Sequence, residues 1–193
     1  MPKMFQRILA FSLVLAFCAG GGLAAATGDA HNFGNKARSA VNQLEGKIYY
    51  LAEDTEVLPD FSKLKPVEGS IYTTSLDVEP RSFEEGFPGI TDRIEWFALV
   101  YTGKFGVKRG GEYMFTLLSD DGSRLYIDGK RVIDNDGIHG PGEAEATITL
   151  KPGVHNIRVE YFQGPRYDIA LQLFVTPPGG QTAIFSTNDY PLP

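Results

Sequence analysis

Two adjacent acidic residues stand between two apolar segments in the middle of the chain. Asp120 and Asp121 follow Ser119, and the next apolar segment begins after Gly122 and Ser123. Neighbouring carboxylates repel each other, and Ca²⁺, which takes about six to eight oxygen ligands, would remove that repulsion. An extended backbone points successive side chains to opposite sides, so a shared ion requires an unusual backbone such as a cis peptide bond. The alternative is a polar turn in which an aspartate accepts backbone amide hydrogen bonds.

Two further polar segments could carry ligands. Residues 134–140 resemble the beginning of an EF-hand loop, but the closing glutamate and the flanking helices are absent, so the sequence favours a turn. Residues 163–168 connect two predicted strands and include Gln163, Arg166 and Tyr167. The simpler interpretation of this second segment is a hairpin connection.

The common catalytic motifs are missing from the sequence. The three histidines, His31, His139 and His155, do not form a zinc motif. The serine elbow Gly-x-Ser-x-Gly and the phosphate loop Gly-x-x-x-x-Gly-Lys are also absent. A carboxylate pair for glycoside hydrolysis depends on spatial separation, so the sequence does not exclude one. We expect a protein that is not an enzyme.

The charge of the chain limits its partners. The 193 residues carry a formal net charge of −6, with the basic residues scattered among acidic ones. Such a chain lacks the basic surface that nucleic acid requires, so we expect no nucleic-acid partner. The acidity suits cation binding, but it is equally consistent with simple solubility.

The first 26 residues have the organisation of a signal peptide. Lys3 and Arg7 precede an apolar segment at residues 8–19, which is too short to span a membrane as a helix. The three alanines at residues 24–26 provide the small side chains that signal peptidase requires. We predict cleavage after residue 26 and export to the periplasm, the cell surface or the medium. An uncleaved N-terminal anchor is the alternative.

The single cysteine gives a second possible fate for the N-terminus. Residues 15–18 end in Cys18 and resemble a lipoprotein box, although Phe17 occupies a position that normally carries a small side chain. Lipidation at Cys18 would place the protein on a membrane. Cleavage after residue 26 would instead leave a mature chain with no cysteine, and therefore no disulfide and no thiolate metal site.

The mature chain has the pattern of an antiparallel two-sheet β-sandwich. Apolar and polar residues alternate through residues 144–150, 155–161 and 169–175, and Asp128-Gly129 is a strong signal for a two-residue hairpin turn. Strands at turn intervals of about 8–12 residues are typical of a sandwich. We predict an all-β fold. The expected units are a leader or linker at 27–45, the sandwich at 46–176 and a C-terminal extension at 177–193 that could include a final strand. Within the sandwich, residues 53–93 are expected to form a long irregular surface connection with short strands.

Seven segments of the predicted sandwich occur in an order that is more specific than any one of them. They are residues 46–50, 96–103, 111–115, 119–129, 132–134, 153–155 and 159–162. This series resembles the PA14 domain family, which takes its name from a fragment of the anthrax protective antigen. The resemblance covers residues 46–176 and implies a β-sandwich of a kind found in adhesins, glycosidases and toxins, often implicated in carbohydrate binding.

The resemblance also implies a site. In flocculin-type and epithelial adhesin members, an Asp-Asp pair joined by a cis peptide bond holds Ca²⁺, which also binds sugar hydroxyls. The matching residues are Asp120 and Asp121. A nearby loop in those adhesins adds an Asn ligand and an aromatic side chain. The matching loop carries Gln163, as a third metal ligand and sugar contact, together with Arg166 and Tyr167 as sugar contacts.

Two functions remain open from the sequence. The first is a Ca²⁺-assisted module that binds a glycan or cell-surface polysaccharide outside the cytoplasm. The second is a metal-independent structural or protein-interaction module of the cell envelope, whose partner would be an envelope protein. Dependence of binding on Ca²⁺ distinguishes them.

Overall fold

The chain folds into two antiparallel β-sheets, which confirms the predicted all-β sandwich. A computed structural model describes residues 33–38, 40–67, 69–82, 91, 93–166 and 168–193. The strands of this part are β1 Leu44–Tyr50, β2 Ile71–Thr73, β3 Asp77–Ser82, β4 Phe97–Val107, β5 Gly111–Asp120, β6 Ser123–Ile127, β7 Lys130–Asn135, β8 Gly142–Leu150, β9 Gly153–Gln163, β10 Asp168–Thr176 and β11 Ala183–Ile184. A turn of 3-10 helix spans Phe61–Lys63.

The N-terminal predictions concern residues outside this part of the chain. The signal peptide at residues 1–26, the alternative lipidation at Cys18 and the position of His31 all precede the first described residue. Among the residues that the structure describes, no helix is long and apolar enough to cross a membrane.

The connection between β5 and β6 passes from one sheet to the other. One sheet has the order β2-β1-β4-β9-β6-β7, and the second has the order β11-β10-β5-β8, with β3 also paired to β10. The chain leaves the second sheet at Asp120 and enters the first at Ser123, so only Asp121 and Gly122 make the crossing. This short crossing lies at one end of the sandwich and carries the acidic residues singled out above.

The strongest alternating segments form strands with the predicted faces. In β8 the side chains of the glutamates and threonines are exposed, whereas Ala144, Ala146 and Ile148 face inward and Leu150 is buried. In β9 the apolar residues of the predicted face are buried. The predicted hairpin joins β6 to β7, and Asp128 and Gly129 have φ angles of +50° and +78°. Two successive positive φ angles are what a type I′ turn requires.

The inner faces of both sheets form one aromatic core that extends beyond the predicted sandwich segment. Phe33 is 1% exposed, and its ring lies 5.4 Å from that of Tyr161. The Tyr101 hydroxyl donates a hydrogen bond to the Phe33 carbonyl. At the other terminus, Phe185 is fully buried next to β11, in the predicted extension. Single aromatic residues in polar segments give no periodic signal, so the sequence pattern did not indicate their burial.

A second, smaller core lies on the outer face of the first sheet. The connection between β1 and β2 folds over this face, so that Leu58 and Phe61 pack on Tyr49, Val100 and Phe162. The connection thus shields the outward side chains at this end of the sheet from solvent, and this shielding explains why they are apolar. The segment expected to be irregular thus covers one end of the sheet and leaves the other end open.

Candidate functional site

Asp120 and Asp121, here called the acidic pair, occupy the crossing between the two sheets. The peptide bond that joins them is cis, as the sequence considerations allowed. Asp120 is the last residue of β5. Residue exposure is only 6% for Asp120 and 3% for Asp121. Two carboxylates are therefore held side by side at the end of the sandwich, largely shielded from solvent.

Asp121 joins two loops. Its Oδ1 atom accepts a hydrogen bond of 3.1 Å from the backbone amide of His139, and its Oδ2 atom accepts one of 2.7 Å from the backbone amide of Gly164. Burial raises the pKa of the Asp121 carboxyl, and these two amides oppose the increase. The carboxylate thus fixes both loops beside the acidic pair.

Asp120 has a different environment. Its backbone carbonyl accepts a 2.7 Å hydrogen bond from the Tyr161 hydroxyl. Its carboxylate receives no hydrogen bond from any residue that the structure describes. Burial, together with repulsion from Asp121 and Asp168, raises the pKa of Asp120 from 3.8 to about 7. The charge of His139 opposes this increase only in part. A buried carboxylate without a hydrogen-bond donor is costly when ionised, so this oxygen pair favours a cation.

Gln163, predicted as a metal ligand and sugar contact, has a structural role in the loop that it begins. The side chain is fully buried at the end of β9. Its Oε1 atom accepts a 2.6 Å hydrogen bond from the Tyr161 hydroxyl, and its Nε2 atom donates to the carbonyls of Pro165 and Asp168. Because β9 is in register with the inner core at this point, the amide points inward and supports the following loop. Gln163 therefore positions the loop, and its roles as metal ligand and sugar contact stay predictions.

The other two predicted sugar contacts lie on the same loop. Arg166 is exposed, and its backbone amide donates a 3.0 Å hydrogen bond to Oε1 of Glu95. Tyr167 lies outside the described residues. Gly164 at the start of this loop contacts Asp121, and the Tyr161 hydroxyl links the Gln163 side chain to the Asp120 carbonyl, so the structure brings this loop to the acidic pair.

Two apolar residues, Trp96 and Ile138, lie beside the acidic pair. The sequence did not single out either of them as ligand-binding. A Cβ atom added to Gly164 would lie 3.2 Å from Oδ2 of Asp121, 3.5 Å from the Trp96 ring and 3.6 Å from Cγ1 of Ile138. Ile138 is 45% exposed. Trp96 has a φ angle of +53° and lies immediately before β4. The positive φ could not be inferred from the pattern, whereas Ile138 in a polar loop was a visible signal.

The second acidic segment has a structural role. Asp136 accepts hydrogen bonds from the amides of Leu58 and Gly137, and its Oδ2 atom lies 2.6 Å from Nη2 of Arg124. Asp134 also pairs with Arg124, at 3.1 Å. These contacts agree with the prediction of a turn and not an EF-hand. Across the described part of the chain, no three His, Cys, Asp or Glu side chains converge as a metal cluster.

Comparison with known proteins identifies related sequences. The model of the family described as the PA14 domain matches residues 88–186. The anti-sigma-I factor RsgI3 of Acetivibrio thermocellus is 29% identical over 108 residues, which are 55% of this chain and 17% of that protein. The chain thus spans less than a fifth of the curated relative that it matches.

Solved structures share the same sandwich. The PA14 domain of the MpAFP antifreeze protein superposes with a TM-score of 0.63 at 18% identity, over 79% of this chain and 93% of that one. A PA14 sugar-binding domain from an RTX adhesin gives a TM-score of 0.59 at 20% identity, over 77% of this chain and 97% of that one. At these identities the likeness establishes the fold.

Proposed function

Because the chain belongs to the PA14 domain family, we propose that it is an exported, non-catalytic binding module that holds one Ca²⁺ at the acidic pair and binds a glycan through that ion. The observation that carries this proposal is the Asp120 carboxylate, which is almost buried beside Asp121 and receives no hydrogen bond from the described residues. A divalent cation neutralises both carboxylates at once. The periplasm, the cell surface and the medium are the compartments that suit this activity.

The acidic pair can supply part of a calcium coordination sphere. Each carboxylate oxygen has two lone pairs, so Asp121 can contact an ion while it keeps its bonds to the amides of His139 and Gly164. Ca²⁺ takes about six to eight oxygens, and two carboxylates leave several positions for water, backbone carbonyls and ligand hydroxyls. An incomplete protein sphere therefore suits an ion that also binds a sugar.

The surroundings of the acidic pair suit a sugar ring. Ile138 and Trp96 provide apolar surface on one side of Gly164. Arg166 and Tyr167 follow Gly164 in the same loop and are the polar and aromatic candidates for direct contacts. Ligand sites combine apolar walls with a few polar groups that fix orientation, and this combination occurs here. The RTX adhesin domain of the same fold is described as sugar-binding, which supports the choice of ligand.

A glycan array provides the direct test. The purified protein is applied in millimolar Ca²⁺ and again in chelator, beside the variants Asp120→Asn and Glu145→Gln. Glu145 is an exposed acid on β8, so Glu145→Gln controls for the loss of one negative charge. We expect binding in Ca²⁺ by the native protein and Glu145→Gln, and none in chelator or with Asp120→Asn. Binding that chelator and Asp120→Asn leave unchanged would contradict the proposal.

A metal-independent interaction module is the second candidate. The observation that favours it is Asp121, because its hydrogen bonds to two loops already give this carboxylate a structural role without an ion. The related anti-sigma-I factor carries its matching segment within a much longer protein, which is compatible with a module that docks an envelope partner. This candidate predicts the same stability and binding in Ca²⁺ and in chelator.

A further inference from the structure

A groove crosses the outer face of the first sheet at the end that the smaller core leaves open. It has a volume of about 420 Å³. Outward residues of β4 and β9, including Lys104 and Asn156, form its floor, and Tyr72 of β2 borders it. Arg38 and Asn42, which precede β1, form its rim. The groove is thus built largely from strands of the sandwich, and ligand pockets commonly have volumes of about 300–1,000 Å³.

The groove carries excess positive charge on an acidic protein. Arg38 and Lys104 are exposed cations, and no described carboxylate lies within ion-pair distance of Lys104. The acidic residue in the lining is Glu45, which accepts a 2.7 Å hydrogen bond from Ser70, pairs with Lys47 at 3.0 Å and is also attracted by the charge of Arg38. The chain as a whole has a net charge of −6, whereas the groove lining holds two cations, Arg38 and Lys104, and one carboxylate, a local balance that favours an anionic ligand.

The Arg38 guanidinium is oriented by neighbouring groups. It lies over the Tyr72 ring at 5.8 Å from the centroid, and its Nη2 atom donates a 3.0 Å hydrogen bond to the Val41 carbonyl. This hydrogen bond uses only part of the guanidinium's five N–H donors. The remaining N–H groups are well suited to pair with a carboxylate. Val41 is 91% exposed and adds apolar surface to the rim. The groove therefore offers cationic, amide and apolar groups together.

This combination fits a carboxylate-bearing sugar. Amide and hydroxyl side chains at Asn42, Thr102 and Asn156 match ring hydroxyls, Val41 matches the apolar edge of a ring, and the two cations match the acid. Asn156 and Gln163 are seven residues apart in β9, so the groove lies about 23 Å from the acidic pair. We propose that this groove is a second binding site, for a uronate unit of an acidic polysaccharide, that operates without Ca²⁺.

Calorimetric titration with tri-galacturonate tests the proposal. The titration is done in excess chelator, so that its outcome is independent of the acidic pair. We expect Lys104→Gln and Arg38→Gln to bind about five- to tenfold more weakly, as for the loss of one charge-assisted contact. Lys130→Gln, an exposed cation on the β6–β7 hairpin, is the matched control and should bind like the native protein.

Two comparison ligands separate the alternatives. Neutral tri-galactose should not bind, since it lacks the carboxylates, and poly-glutamate should not displace tri-galacturonate, since it lacks the ring hydroxyls. Absence of tri-galacturonate binding, equal affinity for the neutral sugar, or equal affinity of Lys104→Gln would overturn the proposal. Displacement by poly-glutamate at similar concentration would also overturn it, in favour of an acidic peptide.

Discussion

The carboxylate of Asp120 governs how the metal-free protein should respond to pH. Its folded pKa of about 7 exceeds the ordinary value of 3.8 because of burial and of repulsion from Asp121. Between about pH 4 and 7 the folded state therefore holds a proton that the unfolded state has released. Stability falls with rising pH wherever the folded state binds more protons. The loss of stability caused by ionising Asp120 in the folded protein is absent below about pH 4 and complete above about pH 7.

We predict that, in chelator, the free energy of unfolding decreases from pH 4 to pH 7 and that Asp120→Asn makes this decrease smaller. Urea unfolding at a series of pH values measures both. Asp134→Asn is the control, because Asp134 is an ion-paired, partly exposed acid on β7. If native protein and Asp120→Asn lose the same stability over this range, Asp120 is not the titrating group.

Tyr161 is the residue that joins Asp120 to the core. Its buried hydroxyl is shared between the Asp120 carbonyl at 2.7 Å and Oε1 of Gln163 at 2.6 Å. We predict that Tyr161→Phe costs about 1–3 kcal/mol, because two buried acceptors lose their donor. Tyr113→Phe, which removes a less buried bond to the Arg109 carbonyl, should cost less. Equal losses in urea unfolding would show that the shared hydroxyl has no special role.

At the level of single residues, the sequence indicated the acidic pair but not the buried side chains that hold it in place. Adjacent aspartates between apolar segments can be recognised directly. The hydrogen bonds of the Gln163 side chain could not be recognised from the sequence. Its register in β9 buries a residue that looks like part of a polar loop. Asp121→Asn is a poor test of calcium binding for a different reason, because the new amide nitrogen would face the backbone amide of His139 or Gly164.

At the scale of elements, a histidine clamps two turns at the end of the sandwich opposite the acidic pair. Nδ1 of His155 lies 2.6 Å from Oδ2 of Asp128 in the β6–β7 turn, and Nε2 lies 2.8 Å from the Lys151 carbonyl in the β8–β9 turn. Both neighbours are acceptors, so only the protonated ring makes both bonds. Partial burial opposes protonation, but the bonds to Lys151 and Asp128 prevail and raise the His155 pKa.

The clamp should stabilise the protein below the unfolded pKa of about 6.5, and the contribution should be lost as the pH rises through the higher folded value. We predict that His155→Gln destabilises the protein more at pH 5.5 than at pH 9. The difference should not exceed about 1 kcal/mol, because Asp128 is half exposed. Unfolding at the two pH values measures it. An equal cost at both would indicate a packing role alone, for instance against Phe105.

Elements with a strict period of two were the predictable part of the fold. β8, β9 and the Asp128-Gly129 hairpin follow directly from alternation and turn chemistry. The 3-10 turn at Phe61–Lys63 and its packing on the outer face of the first sheet do not, because they depend on contacts between distant segments. The burial of Phe33 was also unpredictable, because a single aromatic residue gives no periodic pattern and its burial depends on the space beside Tyr161.

For the molecule as a whole, the two-sheet arrangement separates two regions that could bind ligands. The crossing from β5 to β6 places the acidic pair at one end of the sandwich. The groove near Lys104 lies toward the opposite end, on the outer face of the first sheet. A rigid sandwich between them allows each site to be altered without disturbing the other, so the variants above can be interpreted separately.

The central claim is that the acidic pair holds Ca²⁺, and thermal unfolding across a Ca²⁺ titration tests it most directly. At about 100 times its dissociation constant, Ca²⁺ should stabilise the native protein by about 2.7 kcal/mol. Asp120→Asn should lose most of this gain. Leu125→Ala, a buried core change, should cost about 2–5 kcal/mol with or without the ion. Melting curves of the native protein that remain identical from chelator to millimolar Ca²⁺ would contradict the claim.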